Sequence, residues 1–270
     1  MSIYGGQFKD PIHHEELVSS NRQLAADRSL LNELLGGGQT DRVQGVSVIW
    51  DAADNFAVTG MLHDGYNSIN TNFTEDGGTS SIGITPTNWG VAGRAEYFVY
   101  GNDKQYDDFS ARGNEGDLLV IGGGADWSEA GDGNVFFHTV DAQWENTEGL
   151  GLYGALIGVY RDSAELVAGQ DSSYDYGFLA QAGYMLDKNV ELFGRWSCTI
   201  LDEDLLAAGD DDTFNELTIG ANYFLYGHNA KFTLDVSYLP DGSPVSNSGI
   251  GVLSSGDDEF VVRAQLNLFL

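Results

Sequence analysis

From residue 42 to residue 270 the chain is a run of segments about ten residues long in which apolar and polar side chains alternate. They cover 42–50, 56–64, 89–100, 117–127, 134–145, 150–160, 175–186, 190–200, 214–225, 230–239 and 259–270, and residues 2–9 add a twelfth. Side chains alternate faces along a strand, so each segment has one oily side and one wet side. In 230–239, Phe232, Leu234, Val236 and Tyr238 oppose Lys231, Thr233, Asp235 and Ser237. In 89–100, Trp89, Val91, Ala95 and Tyr97 oppose Arg94 and Glu96. The last segment sets Phe260, Val262, Ala264, Leu266, Leu268 and Leu270 against Glu259, Arg263, Gln265 and Asn267. Segments 117–127 and 150–160 are apolar on both faces, and alternation does not assign them.

This length matches a strand crossing a bilayer, about 9–11 residues. A soluble sandwich also alternates, so the connections decide. DAADN (51–55), NTEG (146–149), DKN (187–189) and YGHN (226–229) are short. Between them fall the long stretches 10–41, 65–88, 161–174, 201–213 and 240–258. Short and long take turns, as in a membrane barrel with tight turns at one end and long loops at the other. The stretches 101–116 and 128–133 break the rule in opposite senses. Trp50, Tyr97, Trp127, Trp144, Tyr160, Tyr184, Tyr223 and Tyr238 lie at or near segment ends, where amphipathic rings meet the headgroups. The expected fold is all-β: a transmembrane antiparallel β-barrel with about twelve strands present.

Thirty-six glycines and four prolines suit a chain made of strands. No apolar run is long enough for a transmembrane helix, and residues 1–10 lack a signal-peptide pattern. The single cysteine, Cys198, excludes an internal disulfide framework. A net charge of −29 makes nucleic acid a poor partner, because phosphate binding needs clustered cations. Such acidity reads as a solvated, self-repelling surface.

Residues 10–41 depart from the period of two. Leu24, Leu30, Leu31, Leu34 and Leu35 recur at helical spacing, Ser20 or Asn21 offers a cap, and Gly36 to Gly38 offer a stop. The spacing predicts a short helix near 21–35. A long ordered segment inside a barrel chain calls for a role, and 10–41 is expected to fold into the pore as a constriction loop.

Three stretches carry a family resemblance. GQFKDPIHHEELVSSNRQLAADRSL (6–30), NYFLYGHNAKFTLDVSYL (222–239) and DDEFVVRAQLNLFL (257–270) resemble the phosphate-selective porins O and P of bacterial outer membranes. The GHNAK turn and the RAQL ending are the most specific parts. The resemblance implies a sixteen-stranded barrel in the outer membrane, a homotrimer, and a lumen lined by Arg and Lys that passes anions such as phosphate. It further implies that about four N-terminal strands and a signal peptide precede residue 1. Residues 1–270 are then one domain, the C-terminal portion of a porin barrel.

Anion conduction needs fixed positive charge at a narrowing. Parity points Lys9, Arg94, Arg195, Lys231 and Arg263 inward, and Arg22, Arg28 and Arg42 lie on or beside the 10–41 segment. These eight are the candidate pore-lining residues. The competing reading pairs each with an inward acid such as Glu96, Glu191, Glu216 or Asp235.

Other chemistry is weaker. IGGGADW (121–127) fails the dinucleotide pattern at Trp127. His13 and His14 lack further ligands at suitable spacing. DWSEAGDGN (126–134) resembles half a calcium loop, but its twelfth position is Phe137. No catalytic set, metal site or cofactor is expected. The expected function is passive diffusion of small hydrophilic solutes through a water-filled pore. The partners would be outer-membrane lipids and small anionic solutes. The alternatives are an outer-membrane barrel enzyme, with His63 and His138 as its testable residues, and a soluble ligand-binding β-protein.

Overall fold

The computed structural model describes residues 1–37, 42–66, 87–162, 171–206, 211–245, 251–252 and 256–269. Twelve strands form one antiparallel sheet in which every hydrogen-bonded neighbour is also the neighbour in sequence. They are β1 (Ser2–Phe8), β2 (Val43–Ala53), β3 (Phe56–His63), β4 (Trp89–Tyr100), β5 (Leu118–Ala130) and β6 (Gly133–Glu145). Then follow β7 (Leu150–Asp162), β8 (Ser172–Met185), β9 (Val190–Ile200), β10 (Thr213–Phe224), β11 (Ala230–Leu239) and β12 (Glu259–Leu268). Among the described residues, three short α-helices lie between strands: α1 (His14–Leu17), α2 (Leu30–Leu35) and α3 (Asp103–Tyr106). No helix among the described residues is long and apolar enough to cross a membrane.

The alternation predicts the faces. Lys231, Thr233, Asp235 and Ser237 are buried, while Phe232, Leu234 and Val236 are exposed and Tyr238 is half-buried. Arg94, Arg195, Glu191, Glu216 and Thr218 share the buried face, and Val91, Tyr97, Leu192, Trp196, Leu217 and Ile219 share the exposed one. The sheet therefore turns its polar side inward and its oily side outward. That inversion of a water-soluble protein is stable when the outside solvent is hydrocarbon.

The sheet is curled. A flat sheet would hold β4 and β12 about 38 Å apart. Instead one compact segment reaches both: Ile12 accepts from Arg94 of β4, and Ala26 accepts from Gln265 of β12. Between these it bonds to Thr139 of β6, Arg195 of β9, Glu216 of β10 and Asp235 of β11. Residues 10–37 are thus wrapped by the wall.

The segment explains the two unassigned strands. Tyr153, Ala155, Ile157 and Val159 of β7 share a buried cluster with Leu24, Leu30, Leu31, Leu34 and Leu35. Leu118 and Val120 of β5 share another with Phe98 and Tyr106. The inner face is apolar where it meets oily side chains of inserted segments, so both faces of those strands read as apolar.

The predicted helix near 21–35 is shorter than its leucine spacing suggests. Only Leu30–Leu35 is α-helical, with Ser29 as its cap and Gly36 at its end. Ser20–Arg22 is a single 3₁₀ turn, and Gln23 is extended. The wall supplies partners that a helix would otherwise provide: Asp235 accepts the Ala26 N–H at 2.7 Å, and Glu216 accepts the Leu30 N–H at 2.8 Å. Residues 38–41 of the expected constriction loop lie outside the described residues.

Candidate functional site in the barrel interior

Glycine lets the segment approach the wall. A Cβ on Gly124 of β5 would stand 3.1 Å from the Ile12 carbonyl and 3.2 Å from its Cα. At Gly177 of β8 it would stand 2.4 Å from the Leu31 side chain. The backbone of the segment occupies the space that side chains would fill.

Charged side chains then bind the segment to the strands. Arg94 donates to Asp141 at 2.8 Å and to Glu96 at 2.7 Å, and also to the Ile12 carbonyl. Arg195 donates to Glu216 at 2.9 Å, lies 3.7 Å from Glu15, and donates to the carbonyl oxygens of Asp27 and Arg28. Arg263 lies 3.3 Å from Asp27 and 3.4 Å from Asp235. Each of these arginines faces two carboxylates, so each group carries a formal charge of −1. One group has the opposite sum: Glu16 alone accepts from both Lys9, at 2.8 Å, and Arg28, at 3.1 Å.

The stretch 101–116, long where a short turn is expected, lies within the observed connection 101–117, which too folds inward. Tyr106, at the end of α3, stacks on His14 with centroids 3.7 Å apart and planes 5° from parallel. Its hydroxyl donates to Asp141 and accepts from Arg94. The Phe109 N–H donates to the Arg22 carbonyl. In an up-and-down sheet, connections 9–42 and 101–117 leave from opposite ends, so two inserted segments meet inside. The other exception, 128–133, is a hairpin of Gly131 and Asp132. Gly131 takes a positive φ of 58° there, as a two-residue hairpin turn demands.

His14 Nε2 stands 3.1 Å from the Tyr106 carbonyl and 3.0 Å from Gln143 Oε1. Both are acceptors, so this nitrogen carries the ring proton. Burial disfavours a second proton and lowers the His14 pKa to about 3, although Asp141 pulls the other way. Burial also works against ionised Glu15, but the hydrogen bond from His13, the charge of Arg195 and the Ser29 hydroxyl outweigh it. They hold its carboxyl at about 2.

The eight sequence-predicted cations separate into two sets. Arg94, Arg195 and Lys231 face inward but are buried beneath the segment, with Lys231 donating to the Gln23 carbonyl at 2.6 Å. Arg263 is nearly covered. Lys9 and Arg28 keep about a fifth of their side chains exposed (22% each). Arg22 reaches the Asp107 carbonyl, and Arg42 is exposed beside the start of β2. Sequence reasoning missed the buried pair of Arg161 and Asp175, because Arg161 lies just beyond the unassigned stretch 150–160. It also missed a group at the long-loop side, where Asp10, His63 and Asp126 bring one donor atom each within 4.8 Å of one another. No pattern joins them, since they come from a loop and two strands far apart in the chain.

On the outer wall, Ala142, Gly154, Ala180, Ala182 and Gly194 floor an apolar groove of about 740 Å³ flanked by Trp144 and Trp196. Cys198 lies on the outward parity and is covered by its neighbours.

Solved structures share this fold. The anion-selective porin from Comamonas acidovorans superimposes with a TM-score of 0.59 at 12% identity, over 98% of this chain and 73% of the other. The outer membrane channel DcaP of Acinetobacter baumannii gives 0.57 at 13% identity, over 97% and 70%. The outer-membrane expressed OmpT of Vibrio cholerae gives 0.55 at 12% identity, over 97% and 75%. No family model and no curated protein sequence matches the chain. At these identities the likeness is one of architecture, and the chain has the fold of outer-membrane porins.

Proposed function

We propose that this chain is a bacterial outer-membrane porin, a water-filled channel for passive diffusion of small hydrophilic solutes, anions such as phosphate among them. The observation that carries the reading is the inverted sheet. Its outer face exposes Leu156, Val140, Leu192, Ile219, Val262 and Leu266, and its inner face holds charge. The resemblance to the phosphate-selective porins O and P supplies the solute class and the homotrimer. In this reading 10–41 is the constriction loop, Lys9, Arg22, Arg28 and Arg42 are the positive groups along the route, and Arg94, Arg195, Lys231 and Arg263 lie beneath the loop and hold it. Lipid covers the outer wall.

The enzyme alternative draws little support from its two histidines. His63 is fully buried, and His138 lies on the outward face of β6, stacked with Phe136 and Tyr174. The proposal requires no cofactor.

A second reading concerns the sign of selectivity alone. Of the groups built on Arg94, Arg195, Arg263 and Glu16, three sum to −1, which favours a cation-preferring pore. Reconstitution of the purified chain in a planar bilayer tests both readings. Stable conductance steps are expected, and their absence in folded protein would sink the porin reading. A reversal potential under a salt gradient then decides between anions and cations.

A further inference from the structure

We propose that Asp10, His63 and Asp126 form a binding site for one divalent transition-metal ion of the class of zinc, cobalt or manganese. The three side chains are 3%, 0% and 0% exposed. They come from the first residue of the inserted segment, the end of β3 and the outer half of β5. Both oxygens of Asp10 lack a hydrogen-bond partner, and so do His63 Nε2 and Asp126 Oδ2. The last two atoms are only 2.8 Å apart, without the alignment of a hydrogen bond.

The electrostatics favour a cation. Among the described residues, no Lys or Arg forms an ion pair with Asp10 or Asp126. Two sealed carboxylates without counter-charge are costly, and ordinary practice in proteins is to pair them or coordinate them. A divalent ion cancels both charges and gives all the orphaned atoms a partner. Such an ion takes nitrogen and oxygen ligands at about 2.0–2.2 Å, which sets tetrahedral donor atoms roughly 3.4 Å apart. The donors here lie within 4.8 Å, so small side-chain movements complete the geometry. One imidazole with two carboxylates suits this class of metal. Calcium takes six to eight oxygens and is the poorer match.

The surroundings are arranged for it. Ser128 donates to Asp126 Oδ1 at 2.6 Å and accepts from the Tyr66 N–H at 2.8 Å, which aims Oδ2 at the site. A Cβ on Gly90 would stand 2.6 Å from the His63 ring and 2.2 Å from the Ser128 hydroxyl, so glycine leaves room for both. One contact must give way: the Gly65 N–H donates to His63 Nδ1 at 3.1 Å, which in the metal-free state places the ring proton on Nε2. Metal uptake shifts that proton to Nδ1, and the Gly65 amide turns away. A bound ion would staple the start of the inserted segment to β3 and β5.

The test uses the folded chain in detergent, stripped with a chelator, loaded with cobalt(II) and dialysed against 0.15 M salt. One retained cobalt per chain is expected, with visible ligand-field absorption. Asp10→Asn, Asp126→Asn and His63→Gln should each weaken retention by more than about 100-fold, beyond what loss of a supporting residue costs. Asp211→Asn with Asp212→Asn, on an exposed connection, should leave retention unchanged. Circular dichroism and the thermal transition report folding of each variant. If His63→Gln fails to fold, Asp10→Asn decides, because Asp10 lies outside the strands. Folded wild-type protein that retains none of cobalt, zinc or manganese would overturn the site, and the buried cluster would then hold a proton instead. Equal retention by Asp10→Asn and Asp126→Asn would overturn it as well.

Discussion

Arg94 carries much of the interior on one side chain: two carboxylates, the Tyr106 hydroxyl and the Ile12 carbonyl. Among the described residues Arg94 is the one cation that pairs with Asp141, so Arg94→Met strands a buried carboxylate, at a cost of about 3–5 kcal/mol. Adding Asp141→Asn removes the stranded charge, so the double variant should recover a large part of that loss. Urea unfolding midpoints in one lipid or detergent measure the cycle. Simple addition of the two single losses would mean that the pair is not coupled. Gly124→Val makes a steric prediction. Its branches must enter the space of Ile12, so the inserted segment should lose its seat there while the strands persist. Proteolysis near residues 10–20, faster in the variant, would register this. Alternation alone is enough to place Arg94, Arg195, Lys231 and Arg263 on the inner face. Parity also picks out three of their partners, Glu96, Glu216 and Asp235, as inward acids. Asp141, on another strand, and Glu15 and Asp27, on the inserted segment, carry no such signal.

At the scale of elements, strands were legible because period two is a local signal, read within ten residues. The extent of α2 was not, since wall carboxylates take backbone N–H groups that a longer helix would have used. The inward fold of 101–117 was visible only as an anomaly of length. Together these segments predict acid sensitivity. Released His14 titrates near 6.5, and in place it titrates near 3, so protons favour release. Its contribution is full above about pH 6.5 and declines as the pH falls toward 3. Glu15 moves from 4.5 to about 2, so its contribution is full above about 4.5 and declines toward 2. Both losses lie on the acid side, and neither acts above pH 7. Amide exchange at Ala26 and Leu30, corrected for intrinsic rate, should quicken by up to about tenfold per pH unit between pH 6 and 4. His14→Gln should flatten that slope above pH 4.5. Unchanged protection from pH 7 to 4 in the unmodified chain would count against the assignment.

For the whole molecule, a net charge of −29 says little about what passes through it. Charges on exposed connections sit in bulk salt, where the screening length falls to about 3 Å at 1 M. Interior charges are what a permeating ion meets, and most interior cations are already spent. Arg94, Arg195 and Arg263 are each outnumbered by two carboxylates, and Arg94 and Arg195 are sealed from water. Lys9 and Arg28 differ, because they share one carboxylate and stay partly exposed. Any anion preference should therefore rest on these two. Lys9→Gln with Arg28→Gln should move the reversal potential toward cations at 0.1 M salt, whereas Asp211→Asn with Asp212→Asn should barely move it at 1 M. Arg195→Glu is the wrong probe, since it would set a third acid beside Glu15 and Glu216 and unseat the segment before it altered selectivity. If the unmodified pore prefers cations and the Lys9/Arg28 double variant leaves its potential unchanged, the −1 groups set the sign. The phosphate role of the resembling porins then does not extend to this chain.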